Sequence, residues 1–193
     1  MSVESIISDL KTIKKVFDKF NVRMIVVYGA CLGWYRDKNF LPGDDDIDLA
    51  VIDPINFETR KRIGHALTDL GFIPDDVAFN VFDRWEKTEP GYNGDDKSGI
   101  MVLKKNFKFT IFFFKEENCA KHGNEYVCIP RMGTRRLIST PKKFYEKLGI
   151  IKIKGDKYLC PSPIEEYLSF TYFNDWKNKN DRRHGELYDE MHK

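Results

Sequence analysis

The sequence predicts an α+β fold, and three observations carry that reading. Apolar residues recur at helical spacing over the first twenty positions. Short apolar runs bounded by glycine, proline and aspartate follow. A strand-rich middle then gives way to a closing helix. The chain has 193 residues, 41% of them hydrophobic and 14% aromatic, enough for a real core in a single domain over 1–176. The polar stretch 177–193 reads as a tail or surface helix. Thirty-two basic against thirty acidic side chains leave a net charge of +2, so no global field draws in nucleic acid and none is expected as partner.

Element by element, Ser2 caps a first helix with Ile6, Ile7, Leu10, Ile13, Phe17 and Phe20 on one side. "RMIVVYG" is a short buried strand ending at Gly29, and "ACLGWYR" a helical turn after it. "DIDLAVI" is the second strand. Asp53 is expected to cap the next helix, with Pro54 at its first position, Ile63, Ala66, Leu67 and Leu70 along one side, and Gly71 as the stop. "VAFNVFDRWE", "GIMVLKK" and "FKFTIFFFK" read as strands, and "GIIKIKGDKYLCP" as a hairpin turning at Gly155-Asp156. "PSPIEEYLSFTYFNDW" is the last helix, with Ile164, Tyr167, Leu168, Thr171 and Tyr172 facing inward.

Several classes are excluded early. The N-terminal pattern is an amphipathic helix rather than a signal peptide, and the run "TIFFF" is far short of the ~20 residues of a membrane span. Cys31, Cys119, Cys128 and Cys160 lack CxxC spacing, and no N-x-S/T site occurs, which points to free thiols in a reducing, cytoplasmic setting. His65, His122, His184 and His192 show no zinc-ligand spacing.

The chemistry concentrates in "FLPGDDDIDLAVI", residues 40–52. Side chains two apart share a strand face, so Asp46 and Asp48 point one way while Ile47 and Leu49 enter the core. Asp44 joins them if the extended conformation starts directly after a Pro42-Gly43 turn. Such a face suits Mg²⁺ or Mn²⁺, held by a few carboxylates plus substrate phosphates. A calcium loop of the EF-hand type fails, since its sixth and twelfth positions would be Leu49 and Ile55. A solvated acidic turn is the plain alternative. Upstream, "VVYGACLGWYR" places a glycine between strand and helix, where backbone N–H groups can approach a phosphate.

The stretch "YGACLGWYRDKNFLPGDDDIDLAV" resembles the signature of the LicD/fukutin family, a Gly-rich phrase followed by "P-W-D-D-D-I-D". "FKFTIFFFKEE" resembles the family's phenylalanine-rich strand, and "CPSPIEEYLSFTYFNDW" its closing "P…YL…YG-x-W" helix, so the resemblance covers most of 21–177. It implies a nucleotidyltransferase-like fold with a mixed central sheet flanked by helices. The implied reaction transfers a phosphorylated alcohol, such as phosphocholine or ribitol phosphate, from a CDP-linked donor to a hydroxyl of a sugar or glycan acceptor. Carried over by position, Gly29, Ala30 and Gly33 shape the phosphate loop and Arg36 meets donor phosphate. Asp46 and Asp48 hold the metal, with Asp44 as a further ligand or orienting group. Trp34 and Tyr35, beside that loop, are candidates for contact with the cytosine or the alcohol.

Three positions depart from the family pattern. Ala30 replaces a threonine and Gly43 a tryptophan. Thr110 stands where the family has a third carboxylate, and a threonine hydroxyl is no base near neutral pH. Asp83 and Glu116 are candidate substitutes. Arg131, Arg135, Arg136, Lys177, Lys179, Arg182 and Arg183 could grip phosphates or simply form solvated faces. Phe112 to Phe114 and Trp85 read as core. Two other readings stay open beside the transferase. One is a nucleotidyltransferase placing a nucleoside monophosphate on a protein, RNA or small molecule; the other is a catalytically lapsed relative that binds nucleotide or glycan.

Overall fold

A computed structural model describes residues 2–74, 99–104, 107–113, 126–130, 137–173 and 176–178. The chain gathers into two compact units, one formed by Met1–Met24 and Asp45–Lys115, the other by Ile25–Asp44 and Glu116–Lys193. Asp83, Trp85, Phe114, Glu116, Arg131, Arg135, Arg136, Lys179, Arg182 and Arg183, the strand expected over 77–86, and residues 179–193 of the tail lie outside the described residues.

The first unit opens with helix α1 (Val3–Lys19), started by Ser2, whose Oγ accepts the Ser5 N–H at 3.2 Å. Ile6, Ile7, Leu10, Ile13, Val16 and Phe17 bury its apolar side. Strand β2 (Asp46–Val51), helix α3 (Phe57–Asp69) and strands β3 (Ile73–Pro74), β4 (Gly99–Lys104) and β5 (Phe107–Phe113) complete it. β4 pairs antiparallel with both β3 and β5, and β5 runs parallel to β2, so this portion of sheet is mixed. Ile47, Leu49, Phe109, Ile111, Ile63, Leu67 and Phe72 form its core. Full burial of a side chain such as Phe109 contributes roughly 1.5–3 kcal/mol.

Two expectations about α3 are corrected. Its cap is Asn56, whose side chain accepts the Thr59 N–H at 2.9 Å, so the helix begins three residues later than expected. Asp53 instead takes the Arg23 guanidinium at 2.6 and 2.9 Å and the Arg23 N–H at 2.7 Å, a set of charge-assisted bonds that a capping role could not match. Leu70, expected inside, follows the last helical residue and is 47% exposed. Gly71 ends the helix as expected, at φ +79°.

In the second unit, β1 (Met24–Val26), of which Ile25 and Val26 belong here, runs parallel to β9 (Asp156–Cys160) through Ile25 and Leu159. β9 is antiparallel to β8 (Gly149–Ile153). β6 (Tyr126–Pro130) and β7 (Leu137–Pro141) make a separate antiparallel pair. Helices α2 (Tyr28–Arg36), α4 (Lys143–Glu146) and α5 (Ile164–Tyr172) belong to this unit. The hairpin turns at Lys154-Gly155, one residue before the expected place. Both residues are left-handed, at φ +48° and +92°, and the register pairs Ile153 with Asp156. The strand expected to reach Gly29 stops at Val26, because helix α2 already begins at Tyr28. Tyr167, Leu168, Thr171 and Tyr172 of α5 are buried as expected.

Candidate functional site

Strand periodicity builds the acidic face of the first unit. Along β2, Ile47 and Leu49 are fully buried while Asp46 and Asp48 stand half-buried on the opposite side. β5 repeats the alternation, with Phe109 and Ile111 in the core and Lys108, Thr110 and Phe112 on the other face. The parallel register sets Asp46 beside Lys108 and Asp48 beside Thr110. Neighbouring strands lie about 4.8 Å apart, so Thr110 is an immediate neighbour of Asp48. Thr110 is 2% exposed, and its Oγ1 has no hydrogen-bond partner among the described residues. A buried hydroxyl in that condition is costly and asks for an explanation. Lys108 Nζ reaches Asp45 Oδ2 at 3.3 Å. Asp45 is mostly exposed, so the pair is worth at most about 1 kcal/mol.

Backbone approach, not side-chain alternation, builds the corresponding part of the second unit. The turn at Pro42-Gly43 forms as expected: Gly43 has φ +84° and the Asp44 N–H donates to the Leu41 carbonyl at 3.2 Å. Asp44 then meets the start of α2. A Cβ placed on Gly29 would lie 3.0 Å from Asp44 Oδ2. One helical turn further on, a Cβ on Gly33 would lie 2.6 Å from the Asn39 carbonyl oxygen and 3.1 Å from the Leu41 nitrogen. Gly29 and Gly33 share one helix side. Together they let the 39–44 loop press onto α2.

Along the chain itself, Asp44, Asp45 and Asp46 offer one carboxylate oxygen each within 4.8 Å of one another. Hard oxygen donors in such a group fit Mg²⁺ or Mn²⁺. This trio differs from the set expected from alternation. It includes Asp45, and Asp48 is not one of the three. Pleating alone would turn Asp45 away from Asp46, but β2 begins only at Asp46, so the residue before it is free of that rule.

The remaining expected site residues are engaged within the second unit. Arg36 Nε and Nη2 donate to Asp37 at 3.0 and 2.8 Å, and Nη1 donates to the Trp176 carbonyl at 2.8 Å. A phosphate would have to share that guanidinium with Asp37. Trp34 is 2% exposed, with its ring edge-on to Phe40 at 5.3 Å and its Nε1 buried. Ala30 is buried beside Gly29. The Tyr35 hydroxyl donates to Glu165 at 2.9 Å; burial and this bond push the phenol up, and the same bond, aided by Lys177, holds Glu165 below the usual carboxylate range. Burial pushes the Cys160 thiol up to about 11 and Cys31 well above the ordinary thiol value, so neither is a nucleophile near neutral pH.

Two features escaped the sequence. Tyr28, a bulky residue, sits at φ +46° in the junction between β1 and α2, a conformation costing on the order of 1–3 kcal/mol. Its N–H donates to the Tyr167 hydroxyl at 3.1 Å. No local pattern marks a left-handed tyrosine or joins residues 139 apart. The pairing of Lys108 with Asp45 is the second, since it joins residues far apart in the chain.

Known proteins can be set beside this geometry. The solved structure of the antibiotic-resistance factor ANT(2'')-Ia superposes with a TM-score of 0.53 at 13% identity, covering 97% of this chain and 83% of that one. That likeness supports an α+β, nucleotidyltransferase-like fold. The ribitol-5-phosphate transferases FKTN of Homo sapiens and Macaca fascicularis are each 26% identical over 125 residues, 57% of this chain. The match covers 26% of those relatives, so the chain spans about a quarter of their length. The family model described as LicD/FKTN/FKRP, nucleotidyltransferase domain, matches residues 21–163, which include Gly29, the aspartate run and the Asp48–Thr110 neighbours. The chain belongs to the LicD/fukutin family.

Proposed function

We propose that the protein is a transferase moving a phosphorylated alcohol, of the ribitol-phosphate or phosphocholine kind, from a CDP-linked donor to an acceptor hydroxyl on a glycan. The observation that carries this reading is the contact of Asp44 with the start of α2 at Gly29, immediately before Asp45 and Asp46. A helix start favours phosphate. Carboxylates that close to it are at odds with phosphate unless a cation stands between them. Mg²⁺ or Mn²⁺ held by Asp44, Asp46 and either Asp45 or Asp48 would supply positive charge to the donor's diphosphate oxygens.

In the proposed reaction the acceptor oxygen attacks the phosphorus bearing the alcohol. The bond from that phosphorus to the bridging oxygen breaks, CMP leaves with the electron pair, and the hydroxyl proton passes to solvent or to a carboxylate. The residues of this chain bind and orient; phosphoryl transfer of this kind rests mostly on positioning and charge. Thr110 beside Asp48 favours one second reading, a binding relative without turnover, because no carboxylate stands there to take the proton.

Incubation with Mn²⁺, CDP-ribitol or CDP-choline and a glycan acceptor tests the reading; CMP release that needs both metal and acceptor is expected. Release of pyrophosphate from nucleoside triphosphates would instead indicate nucleotidyl transfer, and binding without turnover would indicate the lapsed relative. Thr110→Asp adds a carboxylate beside Asp48. If base catalysis is what the chain lacks, turnover should rise by ~10²-fold or more. Tighter Mn²⁺ binding with unchanged turnover would mean that the residue is not a missing base.

A further inference from the structure

The start of α2 lacks a cap of its own. Val27, the residue before the helix, is extended and has no side chain able to accept a hydrogen bond. The first turn of any helix leaves backbone N–H groups without intrahelical acceptors. Here the first, that of Tyr28, goes to the hydroxyl of Tyr167 in α5, 139 residues away. Cys31 N–H goes to the Val27 carbonyl at 3.1 Å. Gly29 and Ala30 supply the two amides between. Tyr28 enters the helix at φ +46°, a conformation its side chain disfavours, so something must hold it there.

Tyr167 suits that task. It is fully buried, and its ring is fixed edge-on by Phe144 at 5.7 Å and by Tyr145 at 6.4 Å. A phenylalanine would fill the same space, so the hydroxyl answers to its bond with Tyr28. We propose that Tyr167 is a positioning residue: by accepting the Tyr28 N–H it holds the left-handed entry to α2 and aims the Gly29 and Ala30 amides at the diphosphate of a nucleotide-linked donor. The claim about the donor rests on the function proposed above; the claim about the amides does not.

Tyr167→Phe separates the two. Without ligand, hydrogen exchange at the Tyr28 amide should quicken by ~10-fold, the usual scale for orphaning a buried donor, and the loosened helix entry should quicken Gly29 and Ala30 with it, while the β8–β9 hairpin keeps its protection. CDP affinity in the presence of Mn²⁺ should fall by a similar ~10-fold, with Mn²⁺ affinity alone unchanged. Tyr145→Phe, which removes a hydroxyl from the same aromatic cluster, should match wild type in every measurement. Wild-type exchange at Gly29 and Ala30 in Tyr167→Phe overturns the positioning claim, as does equal quickening throughout the second unit, which would mean stability alone. Quickened exchange at those amides with undiminished CDP affinity overturns their role toward the donor. If wild-type protein with Mn²⁺ does not bind CDP, the donor reading falls and the exchange result alone decides the positioning claim. Should Tyr167→Phe not fold, 3,5-difluorotyrosine at 167 keeps the ring, weakens the oxygen as an acceptor, and carries the same two readouts.

Discussion

The strand face of Asp46 and Asp48 and the loop–helix contact of Gly29 and Asp44 are built by different physics. The first is a side-chain arrangement on regular backbone. Alternation buries Ile47 and Leu49 and leaves the aspartates on the other face. The second is a backbone arrangement, in which two glycines let a loop lie on a helix and a left-handed tyrosine starts that helix. Substitutions should therefore act differently: on binding with the fold intact on the strand face, and on the fold itself where the loop backbone meets the helix at Gly33.

The largest effect is expected at Gly33. A Cβ there would meet the Asn39 carbonyl at 2.6 Å, and a main-chain carbonyl cannot rotate aside as a side chain can. Gly33→Ala should cost about 2–3 kcal/mol, read as a lower denaturation midpoint at unchanged slope. Wild-type stability would mean that the loop yields, and the contrast with the strand face would disappear.

Asp46→Asn should do the reverse. Stability should hold or rise, because one of several like charges is removed, while Mn²⁺ affinity falls by ~10–100-fold. Titrating Asp45→Asn and Asp48→Asn beside it sharpens the assignment. If Asp45→Asn weakens binding as much as Asp46→Asn, the ligands are the consecutive trio; if Asp48→Asn does, they are the strand face. Wild-type affinity in all three variants would remove the metal from this segment.

These two substitutions also mark what the sequence could convey. Period-two alternation made the face of Asp46 and Asp48 legible; the resemblance put Thr110 at the place of a carboxylate, and the β2–β5 register sets it beside Asp48. The capping serine, the Gly43 turn and the inward side of α5 were legible for the same reason: each is a local rule. Asp53 misled because its side chain fits two roles, and a guanidinium thirty residues earlier in the chain outcompeted the helix start. Adjacency to a phosphate loop says nothing of direction, so the sequence did not convey that Arg36 bonds Asp37 and Trp176 or that Trp34 is buried. The Tyr28–Tyr167 bond had no local signal at all.

Gly29→Ala is the milder counterpart of Gly33→Ala. Its Cβ would meet a carboxylate oxygen at 3.0 Å, the end of a side chain that can move, so stability should change by less than about 1 kcal/mol. The displaced Asp44 should cost about three- to fivefold in Mn²⁺ affinity, seen by calorimetry, well under 1.4 kcal/mol. A stability loss as large as that of Gly33→Ala would mean that Asp44 is held rigidly, and the two glycines would then be alike.

The smallest effect is expected at Lys108, and its sign is what matters. Lys108 Nζ stands 3.3 Å from Asp45 Oδ2, partly neutralising the segment where a cation is expected to bind. The pair is largely exposed, so removing it should change affinity by about two- to fivefold, and the change should fade as salt screens it. For Mn²⁺ alone, Lys108→Gln should bind more tightly, since a competing positive charge is gone. For CDP with Mn²⁺ the expected sign reverses, because Lys108 lies on the face of Asp46 and would attract the nucleotide's phosphates. Opposite signs for metal and nucleotide would show that both meet on this face. Equal signs would reduce Lys108 to an ordinary surface charge, and the strand face would then hold a metal without holding a donor.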